Sequence, residues 1–215
     1  MKWKIVDKTS VPTDIKKYRE RREQIRQECG LQCVYCAIHE GQFGGSRNFH
    51  IEHYRPKSTF QELEHEYTNL FYSCCVCNCY KGSDWPDEPN SDLSNISYPC
   101  PSTTDFNNIF SLKIQNFHLE GQNTSSRYVI ERLNLNRPML ITFRKKDCLL
   151  AKIDKLNQEI KETLLKVDNE IKSKFNERFT NILTEVISVM TKYDSCNPYE
   201  SSDLLNQAIE SSNEQ

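Results

Sequence analysis

Two short cysteine groups carry the first chemistry that the sequence offers. Cys33-Val-Tyr-Cys36 and Cys74-Cys75-Val-Cys77 each set two thiols three positions apart, a spacing that lets one tight turn aim both sulfurs at a single cation. Two such knuckles complete the tetrahedron that structural Zn2+ prefers, and the metal lowers thiol pKa values so that all four bind as thiolates. A closed four-thiolate site supplies folding energy and leaves catalysis to be done elsewhere. Cys75, Cys79 and His39 lie close enough in sequence to take a place in the set. Of the ten cysteines, Cys29, Cys100, Cys148 and Cys196 are scattered and read as small buried hydrophobes.

Between the knuckles lies HIEHYRP, residues 50–56. The neighbours Glu52 and His53 face opposite ways on a regular strand; at a strand end they can converge, one holding a metal and the other a water. A neutral imidazole, with an unperturbed pKa of about 6.5, takes a proton from water at cellular pH. The second knuckle runs directly into Asn78, whose amide oxygen is a neutral hard ligand suited to Mg2+ or Mn2+. A loop then delivers Asn69 and Leu70. Arg55, Lys57 and Lys81 flank this group and can clamp phosphate oxygens, or, as for Lys57 above all, be plain exposed loop charges. His50 sits two residues before Glu52 on the same strand face, while His65 and His118 fall outside the motif.

Several elements must position these groups. Thr13 or Asp14 can cap a helix that runs to about Cys29, with Gly30 placed to end it. The runs NFHIEHY and NLFYS read as short strands, with a short helix starting near Asn78. Residues 83–108, rich in Pro, Ser, Asn and Asp, read as a long surface excursion. IFSLKI and FHLEG suggest a hairpin, and a helical stretch from Ser125 to Leu133 is interrupted at Asn134–Pro138. Beyond Pro138, apolar residues from Ile153 to Val189 recur at steps of three and four and make one stripe. That stripe fits a single long arm or two helices broken near Asp168–Asn169. It can pack on the N-terminal helix or serve as a docking surface for another chain, the reading preferred here. The tail from Ser195 is polar.

Composition narrows the partners. The chain is 27% charged and 37% hydrophobic, and no run approaches the roughly 20 apolar residues that span a bilayer. Its start, MKWKIVDKTS, lacks the apolar stretch of a signal peptide, so a cytoplasmic location is expected and with it cysteines used as metal ligands rather than disulfides. The formal net charge of −2 is unusual for a protein that acts alone on a polyanion, but Lys16–Arg26 holds six basic and two acidic residues. This stretch reads equally as a phosphate-backbone contact and as a solvated helix face with i,i+4 pairs. The modest total charge implies that a partner supplies some of the substrate affinity.

Taken together, CVYC, IEHYRPKS, TNLFYS, CVCN and YKG resemble the HNH endonuclease superfamily. IEHYRPKS, CNCYKG and VIERLNLNRPMLITFRKK (129–146) are similar more narrowly to the HNH (PtuB-like) subunit of Septu-type anti-phage systems, which also occurs as a retron effector component. The likeness covers roughly residues 30–147. It implies an α+β fold: a small zinc-stabilised ββα-metal module flanked by α-helices, with a long C-terminal helical segment. The expected organisation is an N-terminal arm and helix (1–30), an HNH nuclease domain (31–147), a helical segment for partner docking (148–194) and a polar tail (195–215).

The resemblance implies metal-dependent hydrolysis of DNA or RNA to 5′-phosphate and 3′-hydroxyl ends. His53 stands at the general-base position and Asn69 at the position that orients the base. Glu52, where aspartate is more usual, and Asn78, where histidine is frequent, stand at the positions that ligate the catalytic Mg2+ or Mn2+. Cys33, Cys36, Cys74 and Cys77 would hold structural Zn2+. A controlling ATPase (PtuA-like) partner is implied, or a retron reverse transcriptase with its nucleic acid. Two other readings compete: a zinc-ribbon-like adaptor that binds nucleic acid or protein without cutting, in which Glu52–His53 is ornamental, and a toxin that cuts host RNA such as tRNA.

Overall fold

The computed structural model describes residues 2–14, 16–86, 94–164 and 169–195. The tail from 196 onward with Cys196, residues 87–93 of the excursion, and 165–168 with Val167 of the stripe lie outside them. The chain divides into two units, one formed by Met1–Ile114 and His118–Asn136, the other by Gln115–Phe117 and Arg137–Glu200.

The first unit mixes helices with two small sheets. A 3-10 turn at Tyr18–Arg21 leads into α1 (Arg22–Glu28). The helix starts later than Thr13 or Asp14 because Asp14 is engaged elsewhere: its carboxylate pairs with Arg21 at 2.9 Å and with Lys16 at 2.9 Å. Lys17 is extended, and its N–H bonds the Glu20 carboxylate at 2.8 Å. At the other end Gly30 takes φ +66, and the N–H of Leu31 bonds the Arg26 carbonyl at 3.0 Å. This left-handed stop is the one its glycine suggested.

Next come β1 (Phe49–His53) and β2 (Leu70–Cys74), paired antiparallel with His53 opposite Leu70 and Phe49 opposite Cys74. Strand β2 passes without a loop into α2 (Cys75–Lys81). Phe49 stacks on Tyr72 with ring centroids 4.9 Å apart, and Leu70, Phe71 and Val76 are fully buried. Burial of this many aromatic and aliphatic side chains, each contributing about 1.5–3 kcal/mol, makes the hairpin and α2 one packed piece.

The remainder of this unit is α3 (Phe106–Ile109), the hairpin β3 (Phe110–Lys113) and β4 (His118–Gly121), and α4 (Thr124–Arg132). Asn123 and Ser126 cap α4 reciprocally, which satisfies donors that a helix start leaves orphaned. Asp84 gathers Tyr98, Tyr128 and Arg132, tying α4 to the residues that follow α2.

The second unit contains α5 (Pro138–Leu164), which starts on a proline as a first helical turn tolerates, and α6 (Asn169–Ser195). Leu149, Val186 and Val189 form its buried core, with Ile153 and Ile182 packed against it. Lys145 of α5 also pairs with Glu185 of α6 at 3.5 Å. The period of the apolar stripe is therefore real, but its described part closes largely on itself as a helical hairpin. No helix among the described residues is long and apolar enough to cross a membrane.

Candidate active site

The ββα piece places two sites side by side. In the first, the sulfurs of Cys33, Cys36, Cys74 and Cys77 all lie within 4.8 Å of one another, and all four residues are buried. The first knuckle turns at Ala37 (φ +56) and is stitched to β2 by the Val34 N–H bonding the Tyr72 carbonyl at 3.0 Å. In the second, the Cys77 N–H points at the Cys74 sulfur, 3.4 Å away. The Cys36 and Cys74 sulfurs are 3.8 Å apart. A tetrahedron with Zn–S bonds of about 2.3 Å has edges of about 3.8 Å, so the cage fits a structural metal such as zinc. Burial, aided by the neighbouring thiols, pushes Cys33 well above the usual thiol range, and burial does the same to Cys74; a doubly charged cation reverses that balance. The other candidates stand outside the cage. Cys75 is half-buried and Cys79 exposed, and His39 uses Nδ1 to accept the Gly41 N–H at 3.1 Å.

The second site is a cleft of about 340 Å³ whose walls include Tyr18, Glu52, His53, Lys57 and Asn78. Three of the four residues expected at the catalytic centre therefore share one cleft. The His53 Nε2 lies 3.0 Å from the Glu64 carbonyl. A carbonyl only accepts, so Nε2 carries the proton and Nδ1 is left with the free lone pair. Burial holds the imidazole below its ordinary pKa; the Glu64 carbonyl opposes this, and the Lys57 and Lys81 ammonium groups reinforce it. The ring is thus neutral near pH 7. The Tyr18 ring meets His53 edge-on at 4.9 Å and restrains its rotation.

Glu52 is buried at the floor of the cleft. Its Oε1 receives Lys81 Nζ at 2.6 Å and the Tyr35 hydroxyl at 3.2 Å, so Oε2 is the oxygen available to a cation. Burial pushes its carboxyl up, and Lys81 and Tyr35 pull it back. The Asn78 Nδ2 lies 3.4 Å from Nδ1 of His50, which leaves Oδ1 as its free donor atom. The donor set of carboxylate and amide oxygens suits a hard divalent ion.

Three expectations are corrected here. Lys81 is no phosphate clamp: it is fully buried, paired with Glu52, and donates to the His53 carbonyl at 3.0 Å. Asn69 does not touch the imidazole. Its amide brackets Arg55 instead, accepting from its N–H at 2.7 Å and donating to its carbonyl at 3.0 Å, and also donates to the Leu63 carbonyl at 3.2 Å. It fixes the loop that carries the Glu64 carbonyl, and so acts on His53 at one remove. Arg55 is absent from the cleft walls and lies over the Phe60 ring at 5.5 Å. Lys57 does line the cleft, though it is half-occupied by Glu64 at 3.1 Å. Sequence reasoning missed Tyr18 and the Glu64 carbonyl. A backbone carbonyl has no sequence signature, and Tyr18 sits in the basic stretch with nothing to single it out.

The buried Lys81–Glu52 pair predicts a clear stability effect. Lys81→Met strands a carboxylate in the core, and breaking such a pair costs about 3–5 kcal/mol. Denaturant titration should show that loss, with Mn2+ restoring more stability to the variant than to the wild type, since a cation at Oε2 substitutes for the missing charge. An unchanged midpoint would show that the pair carries no stability.

No family model matches this chain, and no solved structure matches it with significance. Among curated proteins there is a match: the chain is similar to "Septu protein PtuB" of Bacillus thuringiensis, 27% identical over 164 residues that span 72% of this chain and 58% of that protein, which marks it as close to PtuB-like proteins.

Proposed function

We propose that the chain is an HNH-type nuclease that hydrolyses phosphodiesters of DNA or RNA, the effector of a Septu-type defence complex with an ATPase partner. One observation carries this reading: a neutral histidine with its Nε2 pinned and its Nδ1 free shares a cleft with a carboxylate and an amide oxygen, one strand-and-helix step from a four-cysteine cage. In the proposed reaction Nδ1 of His53 takes a proton from water, the water oxygen forms the new bond to phosphorus, and the bond to the 3′ oxygen breaks. The departing oxygen takes a proton from solvent, leaving 3′-hydroxyl and 5′-phosphate ends. Glu52 and Asn78 would hold a divalent cation, Mg2+ or Mn2+, which supplies charge stabilisation to the phosphate and departing oxygen. Lys57 faces the same cleft and can take a phosphate oxygen. The Septu match favours an ATPase-linked role over a retron-linked one, and the ATPase would contribute the substrate affinity that a net charge of −2 does not.

A second reading has its own observation. The Lys81 ammonium on Glu52 already neutralises the carboxylate, as suits a zinc-ribbon-like adaptor that binds without cutting. The two separate on plasmid DNA and total RNA incubated with Mg2+ or Mn2+, comparing wild type with Glu52→Gln. The nuclease reading expects cleavage that chelator abolishes and that the variant loses by two orders of magnitude or more. Binding without cleavage favours the adaptor, and cleavage that the variant retains in full removes Glu52 from the reaction.

A further inference from the structure

A second cleft, of about 440 Å³, adjoins the first and shares Tyr18, Ile51 and Asn78 with it; its other walls are Arg19, Arg22 and His50. We propose that this cleft seats the phosphate next to the scissile one, with Arg19 and Arg22 as its cationic ligands and Tyr18 as the wall that spaces the two phosphates. The inference rests on the nuclease reading and adds to it where the polymer runs.

The charge pattern separates these two arginines from their neighbours. Within the same basic stretch Lys16 and Arg21 are paired with Asp14, and Arg26 with Glu23 and Glu40. Those groups are the solvated and structural half of the stretch. Arg19 and Arg22 form no ion pair with a carboxylate among the described residues, and none of the six residues lining the cleft is acidic. Two guanidinium groups that line one hollow with no acidic wall suit a polyanion.

Arg22 is also held in place, and Arg19 is tethered at Nε. Nη2 of Arg22 donates to the Ser46 and Phe49 carbonyls at 2.6 and 2.8 Å, so Nε and Nη1 keep donors for a ligand. Nε of Arg19 donates to the Tyr18 hydroxyl at 3.1 Å, and Lys57 Nζ reaches the same oxygen at 3.4 Å. The Tyr18 hydroxyl thereby links the cation of one cleft to the cation of the other. An arginine whose fork is fixed in advance loses less freedom when it grips a phosphate. His50 and Asn78, at 3.4 Å from each other, complete the wall with neutral polar groups.

The test uses the full chain carrying His53→Ala, so that ligand is bound and not consumed. A short fluorescein-labelled oligonucleotide, of whichever polymer the wild type cuts, is titrated by anisotropy across a range of salt. Adding Arg19→Ala is expected to flatten the log–log salt slope by about 0.7–0.9, the share of one phosphate contact, and to weaken binding severalfold at low salt. Arg22→Lys, which keeps the charge but not the fork, should weaken binding with the slope kept. A single methylphosphonate beside the scissile position should produce the same slope change in the parent and no further change with Arg19→Ala. If the wild type cuts while Arg19→Ala leaves slope and affinity alone, the subsite is wrong and the nuclease reading stands. If the wild type, with its ATPase partner present, neither cuts nor binds, both fall.

Discussion

His53→Ala is expected to lower cleavage by about a hundredfold to ten-thousandfold, the range that a positioned general base supplies, while zinc content stays at the wild-type level. The argument is one of tautomer and position. The Nε2 proton is committed to the Glu64 carbonyl, Nδ1 is the free lone pair, and the ring lines the same cleft as Glu52 and Asn78. Among the described residues no other imidazole lines that cleft: His50 belongs to the neighbouring one, and His65 stacks on Tyr18 at 5.8 Å. The structural cost of the change is small. Among the described residues the imidazole makes one hydrogen bond, worth about 1 kcal/mol net, and one edge contact with Tyr18, and the Lys81 bond to residue 53 uses the backbone carbonyl, which alanine keeps. Loss of turnover with an unchanged melting curve thus isolates chemistry from folding. The check is single-turnover cleavage of plasmid DNA or total RNA with Mg2+ or Mn2+, and turnover retained to within a factor of about ten would remove His53 as the base.

The parts of this arrangement that could be read from the chain are those set by short spacing. Each cysteine pair spans one turn, Glu52 adjoins His53, and β2 hands directly to α2 so that Asn78 follows the second knuckle; each half of the cage and of the cleft follows from neighbours in sequence. Glu52 and His53 line one cleft although they are neighbours at the end of β1. What could not be read depends on burial. Lys81 closes α2 where a surface lysine suits both the helix end and a phosphate, and nothing local reveals that its ammonium is sealed against Glu52. Asn69 has an amide that can bond many groups, and only the fold of 54–64 decides that it brackets Arg55. The stripe on α5 and α6 showed its period and hid its partner, because the same spacing serves a docking surface and a hairpin. The helix start was misplaced for a similar reason: Asp14 is a good cap by type, but Arg21 claims it.

Removing a metal held by the four cysteines is expected to unfold the first unit. The four sulfurs join the 33–36 turn to α2 and the residue before it, and the turn and the helix also carry Tyr35 and Lys81, the partners of Glu52. The cage therefore holds the floor of the cleft as well as the knuckles. Structural zinc contributes apparent free energies of about 10–16 kcal/mol in small domains, against a typical net stability of about 5–15 kcal/mol, so its loss exceeds what the remaining packing holds. Cys33→Ser, or exhaustive treatment of the wild type with a strong chelator, should give protein with no bound zinc, where the untreated chain carries one ion. The chain has two tryptophans, Trp3 and Trp85, and both belong to the first unit. The Trp3 Nε1 donates to the Tyr35 carbonyl inside the knuckle at 2.9 Å, and Trp85 stacks parallel to Tyr98 at 6.0 Å. Their fluorescence reports on this unit without interference from α5 and α6, and it should shift to the red on metal loss and recover when Zn2+ is restored to the chelated wild type. A zinc-free chain with native tryptophan emission and the native unfolding midpoint would mean that packing alone holds the knuckles, and that the four thiols serve some purpose other than stability.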